Sequence, residues 1–74
     1  MAEKKVTIMI EGMHCSHCSA AIAEGLRKLG GVKSADVLLT TGKAKVVYDP
    51  ETIKTDVMVK VIKDLGYNVK GVKE

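Results

Sequence analysis

Val6-Thr7-Ile8-Met9-Ile10-Glu11 runs directly into Gly12-Met13-His14-Cys15-Ser16-His17-Cys18, and the chain then continues through an alanine- and leucine-bearing stretch to Gly30-Gly31. Val6, Ile8 and Ile10 alternate with Thr7, Met9 and Glu11, the period of a half-buried strand. Past the loop the period lengthens. Ile22, Leu26 and Leu29 fall at i, i+4 and i+7, with Ala20, Ala21 and Ala23 around them, which predicts an amphipathic helix. Ser16 is placed to cap its start and Gly30-Gly31 to stop it.

The same two periods recur downstream. Ala35, Val37 and Leu39 alternate with Ser34, Asp36 and Leu38, then Thr40-Thr41-Gly42 reads as a hairpin turn. Ala44, Val46 and Tyr48 alternate with Lys43, Lys45 and Val47 until Asp49-Pro50. Thr52 or Thr55 is placed to cap a second helix, with Val57, Val61 and Leu65 in one row and Met58 and Ile62 beside it. Gly66 ends that helix, and Tyr67, Val69 and Gly71-Val72 supply a short last strand. The order βαββαβ predicts an α+β, ferredoxin-like sandwich: a four-stranded antiparallel sheet with two helices on one face. Such a fold carries many unrelated activities, so function has to be read from the site.

The chain of 74 residues fits one domain, 1–74, with 46% apolar and 28% charged residues. Its two aromatic residues are Tyr48 and Tyr67, which leaves the core to aliphatic side chains and makes nucleic-acid binding a poor expectation. The net charge of +3 is mild and favours an acidic protein surface as partner. No apolar run is long enough for a signal peptide or a membrane span, so the expected compartment is the cytoplasm, without membrane insertion. In that reducing setting a lone cysteine pair is read as a ligand or redox pair ahead of a structural disulfide.

Both histidines and both cysteines lie within the five positions His14 to Cys18. Cys15 and Cys18 stand at i, i+3 where a loop becomes a helix. The unpaired amides and partial positive charge of a helix start favour thiolate over thiol. No Asp or Glu lies between Gly12 and Ala23 to oppose that. Two thiolates without carboxylates select a soft ion such as Cu(I). Structural Zn(II) wants four ligands, and the chain has no second cysteine pair. Two exposed sulfurs also leave the ion open to a partner's thiolate, so the arrangement suits a carrier that passes metal by ligand exchange, not an enzyme.

The stretch Gly12-Met13-His14-Cys15-Ser16-His17-Cys18 resembles the G-M-x-C-x-x-C loop of the heavy-metal-associated domain family. The family includes bacterial copper chaperones of the CopZ type and the soluble N-terminal domains of copper-transporting P-type ATPases. Gly30-Gly31-Val32 and Leu65-Gly66-Tyr67 extend the resemblance over essentially the whole chain. It implies a ferredoxin-like fold holding Cu(I) on Cys15 and Cys18. The expected recipients are the metal-binding domain of a copper-transporting P-type ATPase or a copper-responsive repressor. A chain of this length resembles the free-standing chaperone more than a domain cut from a transporter.

The resemblance also implies that Tyr67 lies near the sulfurs. His17, just before the second cysteine, resembles a C-x-H-C variant of the bacterial chaperones. His14 departs from the family's usual Ser or Thr, so either imidazole is open as a further ligand or an outer neighbour of the metal. Met13 is read as an anchor beneath the loop and Gly12 as the turn residue. Alternatives with the same fold are a domain of a copper ATPase and a mercury-binding protein; a thiol-disulfide oxidoreductase is the alternative of another class. Hg(II), Zn(II) and Cd(II) are expected as non-cognate ions. The expected apo state is a monomer, with a copper-bridged dimer available on loading.

Overall fold

The computed structural model describes residues 3–13 and 16–73. The elements follow the order β1 (Lys4–Glu11), α1 (Ser16–Arg27), β2 (Val32–Leu38), β3 (Lys43–Tyr48), α2 (Thr55–Asp64) and β4 (Asn68–Lys73). The strands form one antiparallel sheet ordered β2-β3-β1-β4, so the expected ferredoxin-like arrangement is the observed one.

Alternation decides which face of the sheet is covered. Val6, Ile8 and Ile10 of β1, Ala35 of β2 and Ala44, Val46 and Tyr48 of β3 are all buried, and they meet Ile22 and Leu26 of α1 and Met58 and Ile62 of α2. The intervening side chains point to the other face, where no helix covers them. The Arg27 guanidinium donates 2.9 Å to the Ala35 carbonyl and so ties the end of α1 to edge strand β2.

Several local expectations are corrected. The row Val57, Val61 and Leu65 is the outer side of α2: Val57 is 42% and Leu65 44% exposed, while Met58 and Ile62 are fully buried. Two apolar rows border each other on this helix, and the sheet takes the one in line with Ile53, a buried residue before α2 that periodicity does not single out. Neither Thr52 nor Thr55 caps α2. Lys54 holds the cap position without a side-chain bond, and the Thr52 hydroxyl donates to the Asp49 carboxylate at 3.1 Å. The other Asp49 oxygen accepts from the Glu51 amide at 3.0 Å, so this turn is closed by Asp49.

Ser16 is the first residue within α1, not a residue before it. That helix ends at Arg27, short of Leu29, which still packs against the core from the following turn. Of the two glycines beyond it, only Gly31 takes a positive φ, +100°. A Cβ there would stand 2.9 Å from both Thr52 and Ile53, so Gly31 also lets the Asp49–Ile53 turn approach. Leu39 lies past the end of β2, half-buried in the hairpin turn.

Candidate metal centre

The loop between β1 and α1 sits at one end of the sheet, and three elements converge on it. The first is β1, which delivers Gly12 with φ +93° immediately after Glu11. Met13 then turns inward, half-buried, and packs against the core. His14 and Cys15 lie outside the described residues. The second element is α1. His17 and Cys18 occupy its first turn, His17 exposed and Cys18 half-buried.

The third element is the junction of α2 with β4. Leu65 closes α2, and Gly66 follows with φ +98°. The Gly66 amide donates to Lys63 O at 3.0 Å and the Tyr67 amide to Ile62 O at 3.2 Å. These paired bonds are a Schellman closure, which needs a left-handed residue and finds it in glycine. The closure fixes where the chain emerges, and hence where Tyr67 points. Tyr67 is half-buried against the core, and a Cβ placed on Gly12 would stand 3.8 Å from its Cδ1. The ring therefore lies beside the start of the loop.

The electrostatics of this end favour an anion. No acidic residue lies in the first turn of α1, and the start of a helix carries a partial positive charge. The nearest carboxylate in sequence, Glu11, is engaged by Lys70 at 3.4 Å. Lys70 is the extra residue of a bulge in β4, since Met9 pairs with Gly71 and Ile10 with Val69. Cys18 thus sits at a helix start, a position of the kind that favours thiolate over thiol. Among the described residues no group of three or more His, Cys, Asp and Glu side chains could hold a metal elsewhere.

Leu65, in one row with Val57 and Val61 of α2, is a surface feature. Its Cδ1 and Val61 Cγ1 lie 3.4 and 3.2 Å from the position a Cβ on Gly25 would take. Gly25 stands two helical turns after Cys18 on the same face of α1. An exposed apolar ridge therefore runs between the helices on the Cys18 side.

Comparison with known proteins agrees with this geometry. A copper chaperone CopZ from Staphylococcus saprophyticus is 44% identical over 64 residues, covering 86% of this chain and 94% of that protein. A copper-exporting P-type ATPase from Bacillus subtilis is 37% identical over 67 residues, 90% of this chain but 8% of the transporter. The crystal structure of oxidised MerP from Ralstonia metallidurans superposes with a TM-score of 0.90 at 32% identity, covering 99% of this chain and 100% of that one. With the heavy-metal-associated domain matching residues 7–68, the chain belongs to the heavy-metal-associated domain family.

Proposed function

We propose that the protein is a copper metallochaperone: it carries one Cu(I) on Cys15 and Cys18 and hands it to another protein without catalysing a reaction. The observation that carries this reading is the placement of Cys18 at the start of α1, half-buried, in a chain whose cysteines and histidines all fall between positions 14 and 18. Its 44% identity to a CopZ chaperone over 64 residues supports the carrier reading.

Transfer proceeds by exchange. A partner thiolate bonds to the metal as one of the two protein thiolates lets go, so copper keeps its charge and is never released to water. The partner is the metal-binding domain of a copper-transporting P-type ATPase, a reading supported by the similarity of a segment of the Bacillus subtilis transporter to this chain, or a copper-responsive repressor. Met13 holds the loop from beneath, Gly12 allows its turn, and Tyr67 limits access of water and stray thiols. His14 and His17 act outside the metal's immediate ligands, adjusting thiolate basicity. The site of action is the cytoplasm.

Titration with Cu(I) against a strong chelator tests this. One equivalent binds to the wild type; Cys15→Ala or Cys18→Ala abolishes binding, and His17→Ala retains most of it. X-ray absorption finds two sulfur neighbours. Tight binding by the double cysteine variant overturns the reading. The likeness to MerP favours one second reading, an Hg(II) carrier with the same two sulfurs. Which metal induces expression in the source cell separates the two, since Hg(II) binds any dithiol.

A further inference from the structure

The sheet face turned away from the helices is strongly asymmetric in charge. Alternation with the buried residues places Lys5 and Thr7 of β1, Lys43 and Lys45 of β3 and Asp36 of β2 on it. Register adds Lys73, paired with Thr7, which in turn pairs with Lys45 opposite Asp36. The four lysines against one aspartate equal the net charge of the whole chain, +3, so the remaining charges cancel. Glu11 at the rim changes nothing, because Lys70 neutralises it.

This face also carries apolar surface between the ammonium groups. Leu38 is 41% exposed, Val47 and Met9 are half-buried, and Met9 lies across Gly71, where a Cβ would come within 2.9 Å of its Cε. The surface is shallow, with a depression of about 420 Å³ between Lys5, Thr7, Ser34 and Lys45. It has no aromatic side chain to insert between lipids or to stack on a base. Broad, flat, basic and only mildly apolar, it matches an extended anionic plane better than a pocketed ligand.

We propose that the open sheet face adsorbs the protein, without insertion, to an anionic lipid bilayer. In that pose both helices and the Cys18 end of α1 stay clear of the membrane and open to a partner. The use of the pose rests on the carrier reading: a carrier held at the bilayer searches in two dimensions for a membrane transporter. The adsorption itself involves no metal.

The test uses apo protein and co-sedimentation with vesicles. Wild type is expected to bind vesicles of equal parts phosphatidylcholine and phosphatidylglycerol, to ignore pure phosphatidylcholine, and to dissociate in about 1 M salt, where charges are screened within about 3 Å. The triple variant Lys5→Gln, Lys43→Gln, Lys45→Gln should bind at least about tenfold more weakly. Lys28→Gln, Lys60→Gln, Lys63→Gln removes the same charge from the helical side and should bind as wild type. Circular dichroism confirms that both variants fold, and one bound Cu(I) in each keeps the metal reading separate from this one. Equal losses in the two variants overturn the proposal in favour of net charge alone, and no loss in the first overturns it outright. Wild type that ignores anionic vesicles but binds polyglutamate through the sheet lysines overturns it in favour of an acidic protein.

Discussion

The ring of Tyr67 flanks Gly12, its Cδ1 3.8 Å from where a Cβ on that glycine would stand, although the two residues are separated by most of the chain. One belongs to the start of the loop and the other to the closure of α2. Tyr67→Ala is expected to weaken Cu(I) binding about tenfold, as removal of an outer neighbour of a metal does, while Tyr67→Phe keeps most of it. Chelator competition on the two variants measures the difference. Equal binding by Tyr67→Ala and wild type would show that the ring only covers the core.

Gly31 and Gly30 are adjacent and differ completely in what they tolerate. Gly31 has φ +100° with Thr52 and Ile53 crowding its missing Cβ, whereas nothing lies within 4 Å of a Cβ on Gly30. Gly31→Ala should destabilise the fold by about 2 kcal/mol through strain and overpacking. Gly30→Ala should fall within about 0.5 kcal/mol of wild type. Urea titration of both reads the contrast.

Met58 and Val57 make a similar pair on α2. Met58 is fully buried and Val57 is 42% exposed. Met58→Ala should cost about 2–5 kcal/mol, enough to unfold much of a domain this small, and Val57→Ala less than about 1 kcal/mol. Thermal melts followed at far-ultraviolet wavelengths distinguish them. Comparable losses would mean that the helix presents its other row to the sheet.

Asp49 ties the fold to pH. The Glu51 amide holds its carboxyl below the ordinary value, and the Thr52 hydroxyl and the Lys33 charge act in the same direction. Because the folded state binds this proton less readily than the unfolded chain, Asp49 contributes stability at neutral pH. That contribution fades as pH falls from about 4 through the lower folded value. Asp49→Ala should therefore flatten the acid limb of a stability profile measured from pH 7 downward. An unchanged acid limb would remove Asp49 from the pH response.

The sheet was legible because its strands are half-covered. Each buried residue of β1 and β3 alternates with an exposed or half-buried one, and a period of two leaves little freedom of register. Helix α2 was less legible, since Val57-Met58 and Val61-Ile62 put apolar residues on two adjoining faces and only packing chooses between them. The candidate metal loop stands out in the sequence by the crowding of His and Cys into positions 14–18. Of its support, Gly12 and Met13 are read within the motif itself, whereas the nearness of Tyr67 follows only from the family resemblance. That Gly66 aims Tyr67 at Gly12 depends on a Schellman closure and on the antiparallel return of β4, neither of which has a signature between positions 12 and 18. The Asp49 turn went unread because Asp49-Pro50 marks a strand end equally well whichever side chain closes it.

With no tryptophan in the chain, the two tyrosines are its only strong near-ultraviolet fluorophores. Tyr48 is 3% exposed in the core, and Tyr67 stands beside the loop. Emission from the first is therefore expected to follow unfolding, and emission from the second to follow events at the start of the loop. On the carrier reading, a Tyr48→Phe variant carries a built-in optical gauge of loading, with no dye attached and no foreign group near the loop.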